Sequence, residues 1–339
     1  MTDNYQDIKL NKYNILTDES NIKFSISEIN YPEIHDMYKT QQSCYWKMEE
    51  IDFSKDYDDF INLNKDQQKI IKMVLAFFAN LDGIVNLNIS EKLLNKITIR
   101  EAIMTYQWQQ MMENIHNECY AEMINNIIKD NDEREYLFNS IETIPCIKKM
   151  ADWGLKFIND EDATLEECLV AFACIEGIMF SGMFAVIFWI KNFLSNEKTC
   201  MPGLVSSNSL IARDEGQHTD FACLLYNIST VKLEKNRIKA IVNECVEITK
   251  EFTNNTIDNK LIGLNAELMN KYIEYVGDNL LVSLGNNKLY KSKNPFNWMD
   301  SIGITSKTNF HEVRPTEYQS AYSKDLKNTT INFYTDDDF

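Results

Sequence analysis

Between Leu169 and Ile190 the chain is apolar apart from a few small residues and a single acid, Glu176. A run of this length is enough to span a bilayer, but it is equally what the middle of a large helical bundle requires. The acid argues for the bundle. A carboxylate at the centre of an isolated span is costly without partners, and no second span is expected beside this one. The stretch is therefore read as a buried helix of a non-membrane protein, in which Glu176 must have polar company. Only 10 Gly and 5 Pro punctuate 339 residues, too few for the many turns of a β-rich fold. The expected class is all-α.

The helices can be placed from apolar spacing and end signals. Asn64 with Gln67 makes a capping box that opens a helix reaching about Ile89. A second is expected from about Ile99 to Ile128, with shorter ones around Arg134 to Ile141 and Cys146 to Phe157. Thr164 with Glu167 opens the apolar helix, which should end near Leu194. After Met201-Pro202-Gly203 a further long helix reaches about Tyr226, followed by helices over Leu233 to Phe252 and Asn265 to Leu284. Residues 1–40 read as a polar, irregular N-terminal arm, 41–310 as one helical domain, and 311–339 as a mobile acidic tail.

Two of the four histidines follow a glutamate by three residues, in Glu113-Asn114-Ile115-His116 and Glu215-Gly216-Gln217-His218. At that spacing carboxylate and imidazole leave a helix from one face and can reach one metal ion. One such pair is weak evidence, but two within long apolar helices are strong, because an unpaired buried acid is costly. Helix bundles with dinuclear centres take an E-x-x-H from each of two helices and one carboxylate from each of two others. Asp82 and Glu176, each the lone acid of an apolar stretch, supply the missing two. The bland alternative, separate pairing of each buried acid with Lys or Arg, needs a partner for every one. Four carboxylates carry a charge of about −4, which two divalent cations balance. Carboxylates and imidazoles without thiolate suit iron or manganese; zinc prefers four ligands and has no redox chemistry.

Tyr120 lies one turn beyond His116, so its phenol points toward the same site. Phe180 and Phe184 follow Glu176 by one and two turns, and Ile211 precedes Glu215 by one, so together they can wall off a dry pocket around the phenol. A net charge of −17 argues against binding nucleic acid through its phosphates. Eight scattered cysteines without a C-x-x-C pair point to a reduced, cytoplasmic protein.

With these residues in hand, the chain resembles the small, radical-generating subunit of class I ribonucleotide reductase, in its eukaryotic and eukaryotic-virus form. The resemblance runs from about Tyr31 to Phe339. It rests on Asp82-Gly83-Ile84-Val85-Asn86, Met112-Glu113-Asn114-Ile115-His116, Glu176-Gly177-Ile178, Arg213-Asp214-Glu215-Gly216 and Lys307-Thr308-Asn309-Phe310. It implies a ferritin-like bundle, two iron ions on Asp82, Glu113, His116, Glu176, Glu215 and His218, and dioxygen-driven oxidation of Tyr120 to a stable radical. It further implies transfer through His116, Asp214 and Trp46, with Tyr318 at the boundary to a large catalytic subunit that reduces ribonucleoside diphosphates. The ending Phe333-Tyr334-Thr335-Asp336-Asp337-Asp338-Phe339 resembles the family's Phe-x-x-Asp-x-Asp-Phe, implying that Phe333, Asp336, Asp338 and Phe339 dock on that subunit. Tyr334 and Thr335 depart from the usual Thr and Leu. A homodimer is expected. Rival readings are an iron-storing protein of the ferritin type, an oxygenase acting on a small organic molecule, and a catalytically silent scaffold subunit.

Overall fold

Thr164 accepts a hydrogen bond from the Glu167 amide while the Glu167 carboxylate accepts one from the Thr164 amide, and Asn64 with Gln67 forms the same reciprocal cap. These caps satisfy amide donors that a helix start leaves open. The computed structural model describes residues 13–195, 198–257 and 261–302. Its helices in chain order are α1 (Pro32–Ser43), α2 (Asp56–Ile61), α3 (Lys65–Lys96), α4 (Arg100–Ile127), α5 (Asn131–Phe138) and α6 (Ser140–Thr143). They continue as α7 (Pro145–Asn159), α8 (Leu165–Leu194), α9 (Pro202–Ile228), α10 (Lys235–Thr256) and α11 (Ala266–Ser283). No strand occurs among the described residues.

The expected helices are present, with differences that have physical causes. The first helix runs on to Lys96 because a π-helical turn at Ile89–Leu93 keeps it going instead of ending it. The segment expected as one helix around Arg134 to Ile141 breaks at Asn139, whose side chain turns back to the Glu135 carbonyl. The supposed irregular arm contains α1. Pro32 opens it, where a missing amide hydrogen does no harm, and Ile34 is fully buried. Nor is α8 alone in being long and apolar enough to cross a membrane, since α3 passes the same test. Both are core helices: the apolar window of α8 is 100% buried and that of α3 61%.

Packing sets four helices around one centre. α3 lies along α4 and α8 along α9, while α10 and α11 cover α8 and α7 bridges α3 and α10. Two further π-helical turns interrupt α8, at Ile175–Phe180 and Ile190–Leu194, and the first of them contains Glu176. Such a turn inserts one residue and re-aims the side chains around it, and is often found at functional sites.

Candidate metal centre

Asp82 on α3, Glu113 and His116 on α4, Glu176 on α8, and Glu215 and His218 on α9 are all buried in the apolar core. Their ligand atoms form two groups, each with all its atoms within 4.8 Å of one another. One group is Asp82, Glu113, His116 and Glu215; the other is Glu113, Glu176, Glu215 and His218. The groups share Glu113 and Glu215, and the six side chains together would suffice to hold two neighbouring cations. His116 Nδ1 lies 3.3 Å from Glu113 Oε2 and 3.0 Å from Glu215 Oε1. His218 Nδ1 lies 2.9 Å from Glu113 Oε1, 3.1 Å from Glu215 Oε2 and 3.6 Å from Glu176 Oε2. All six expected ligands therefore converge.

The electrostatics show why cations belong here. Both oxygens of Asp82 and Glu176 are buried without a hydrogen-bond partner, and those of Glu113, with Glu215 Oε1, face only the imidazole nitrogens of His116 and His218. Orphaned buried carboxylates are expensive unless a metal or a proton neutralises them. Burial, then the charge of Glu113, pushes the Asp82 carboxyl well above its ordinary range. Burial acts the same way on Glu113, but the His218 and His116 imidazoles outweigh it and hold that carboxyl below its usual value. The imidazoles respond in kind. Burial opposes their charge, yet the surrounding carboxylates raise His116 well above its ordinary value and His218 to about 10. The donor set, four buried carboxylates facing two imidazoles, fits a dinuclear metal site.

Tyr120 is buried on α4, and its hydroxyl has no hydrogen-bond partner. Burial first, then the charge of Asp82, pushes its phenol well above the ordinary value. The ring stacks on Phe78 at 4.9 Å between centroids and 2° between planes, and Phe78 in turn meets Phe180 at 5.6 Å and Phe184 at 4.9 Å. Ile211 is fully buried on α9. Phe78 was missed from sequence, although it precedes Asp82 by four residues and so shares its helix face. On another side a surface cleft of about 300 Å³, lined by Asp82, Gly83, Asn86, Leu87, Ser90, Glu113, Asn114 and Asn117, adjoins two of the proposed ligands, whose carboxylate oxygens remain buried.

On its far side His116 meets a second chain of contacts. Its Nε2 lies 3.3 Å from Asp214 Oδ2, and the same oxygen accepts the Trp46 indole N–H at 2.7 Å. The Trp46 and His116 rings are stacked at 5.9 Å. Arg213 donates to Asp214 Oδ1 from Nε at 3.1 Å and Nη2 at 2.9 Å, and to the Cys44 carbonyl. Burial raises the Asp214 carboxyl, but His116 and Arg213 more than reverse this and leave it below its ordinary value. Tyr318, Phe333, Asp336, Asp338 and Phe339, with the Lys307–Phe310 motif, lie outside the described residues.

The chain and its fold have close counterparts. Residues 23–295 match the family described as ribonucleotide reductase, small chain. The chain is 48% identical over 307 residues to the ribonucleoside-diphosphate reductase small chain of Neurospora crassa, covering 90% of this chain and 74% of that one. It is 47% identical over 318 residues to the ribonucleoside-diphosphate reductase subunit M2 of Rattus norvegicus, covering 94% and 80%. Among solved structures, the ribonucleotide reductase Rnr4 homodimer of Saccharomyces cerevisiae aligns with a TM-score of 0.76 at 37% identity, over 84% of this chain and 88% of that one. A dimanganese(II) protein, NrdF of Streptococcus sanguinis, shares the fold with a TM-score of 0.69 at 18% identity, over 80% and 94%. With buried acids and imidazoles converging at the centre of such a bundle, the chain belongs to the ribonucleotide reductase small-chain family.

Proposed function

We propose that this chain is the small subunit of a ribonucleoside-diphosphate reductase that makes and stores a radical on Tyr120 and delivers it to a large catalytic subunit. The observation that carries this reading is the pair of ligand groups sharing Glu113 and Glu215 beside a buried phenol with no hydrogen-bond partner. Asp82, Glu113, His116, Glu176, Glu215 and His218 would hold two iron ions, with manganese as the alternative the same ligands accept. When bound with dioxygen, such ions supply an oxidant strong enough to take one electron from a phenol. Tyr120 gives up that electron and its proton. Phe78, Phe180, Phe184 and Ile211 keep water and small reductants from the oxidised ring.

Transfer outward uses the chain's own contacts. Trp46, Asp214 and His116 link the site to the segment around Cys44 and Tyr45, and Tyr45 is partly exposed. The indole N–H and the imidazole share one carboxylate oxygen, so a proton shift on Asp214 can accompany an electron moving through Trp46. Tyr318 continues this path at the large subunit, and Phe333, Asp336, Asp338 and Phe339 dock there. The working unit is a homodimer. None of the eight cysteines is in a disulfide, which suits a reducing compartment, and we place the protein in the cytoplasm.

The test is to load anaerobic apoprotein with ferrous iron, admit oxygen and record the electron paramagnetic resonance spectrum. A tyrosyl signal is expected in the wild type and absent in Tyr120→Phe, with iron binding retained. The same signal in both proteins would move the radical to another residue, and none in either would remove the reading.

A further inference from the structure

Two of the proposed ligands, Asp82 and Glu176, are each followed directly by glycine, and the two glycines sit in opposite circumstances. A Cβ placed on Gly83 would meet nothing within 4 Å. A Cβ on Gly177 would lie 2.8 Å from Thr219 Cγ2, 3.2 Å from Thr219 Oγ1 and 3.7 Å from Thr219 Cβ. Real side chains do not approach as closely as the first of these distances, so α8 and α9 come together here only because residue 177 has no side chain.

The contact joins the immediate neighbours of two ligands. Gly177 follows Glu176, and Thr219 follows His218; Glu176 and His218 belong to the same four-residue group. Glu176 and Gly177 also lie in the π-helical turn Ile175–Phe180, where the backbone is already re-aimed. Thr219 can yield only by exchanging between the two χ1 rotamers a threonine has in a helix. We infer that the Gly177–Thr219 contact is a positioning device: it sets the separation of α8 from α9 and thereby the distance of Glu176 from Glu215 and His218.

Magnitudes support a one-sided effect. Stretching a 2.8 Å separation to the 3.4 Å of ordinary contact takes a shift of about 0.6 Å, whereas metal–ligand distances tolerate about 0.2 Å. Asp82, Glu113 and His116 sit on α3 and α4, away from this contact. Of the ligands on the two touching helices, Glu176 on α8 serves one group alone while Glu215 on α9 serves both, so a wedge at 177 that displaces α8 acts on the ion held with Glu176 and His218 and leaves the ion held with Asp82 and His116 largely in place.

The inference rests on the two-metal reading above, and the experiment separates them. Full-length apoprotein is titrated anaerobically with ferrous iron and with manganese(II), resolving the two binding steps. Gly177→Ala should weaken one step roughly 10–100-fold, the range for changes just outside the ligands. Thr219→Ser alone should bind both ions normally, and in the Gly177→Ala background it should restore the weak step by removing the blocking methyl. Gly83→Ala should leave both steps unchanged. Should Gly177→Ala not fold, Thr219→Ile enlarges the same contact from the other helix and must give the same selective loss. Equal weakening of both steps, no weakening, or no rescue by Thr219→Ser would overturn the inference. A wild type that never takes up two ions would instead overturn the two-metal reading.

Discussion

His116 faces two ways. Its Nδ1 points at Glu113 and Glu215, where a metal belongs, while Nε2 contacts Asp214, whose other oxygen is fixed by Arg213. The ring thus couples the metal side to the Trp46 side, and the Trp46 indole is the replaceable link. Trp46→Phe removes one donor from a buried carboxylate that keeps His116 and Arg213, a loss of about 1.5–3 kcal/mol in stability for a hydrogen bond to a charged group. Metal uptake and the Tyr120 signal should survive, since Trp46 touches neither the phenol nor the shared carboxylates. Turnover measured with the large subunit should fall at least tenfold. Retained turnover would show that the path to the partner runs elsewhere.

At the scale of elements, the start of α9 shows what periodicity leaves unread. Met201 precedes this helix in a left-handed conformation (φ 50°) and offers no side-chain cap. The caps come instead from the segment at α2: Asp56 accepts the Gly203 and Leu204 amides at 2.9 and 2.6 Å, and Asp59 accepts the Met201 amide at 2.8 Å. Gly203 is required because a Cβ there would lie 2.6 Å from the Phe53 ring and 2.8 Å from Asp56. Burial pushes the Asp56 carboxyl up to about 6, with the two amides pulling the other way. A folded-state value above the ordinary 3.8 means the folded chain holds this proton more tightly than the unfolded one. Its contribution to stability is complete below about pH 4 and is lost as pH rises through about 6. Thermal unfolding of apo Asp56→Asn should lack that decline, and an unchanged pH profile would contradict it. The convergence of the six proposed ligands, by contrast, is legible in sequence, because an acid or imidazole in an apolar helix has few explanations. Phe78, the π-helical turns, the Asp56 caps and the Gly177–Thr219 contact are not. They depend on which helices become neighbours or on a one-residue insertion, and neither leaves a period in the sequence.

For the whole molecule, the site has unequal sides: packed aromatic rings wall it at Tyr120, while a surface cleft adjoins Asp82 and Glu113. Asn86 spans that cleft, accepting from Gln110 at 3.1 Å and donating to Asn114 at 3.4 Å, so small polar groups rather than packed apolar ones guard it. Glu176 and His218 lie instead against the fully buried run of α8. An aqueous chelator added to loaded protein should therefore strip metal in two kinetic phases, the faster one emptying the Asp82 and His116 position; a single phase would contradict this. The cleft would then fix a sequence of departure. Partly depleted protein would pass through a one-ion form, keeping its more sheltered cation and needing only a single fresh ion to be rebuilt.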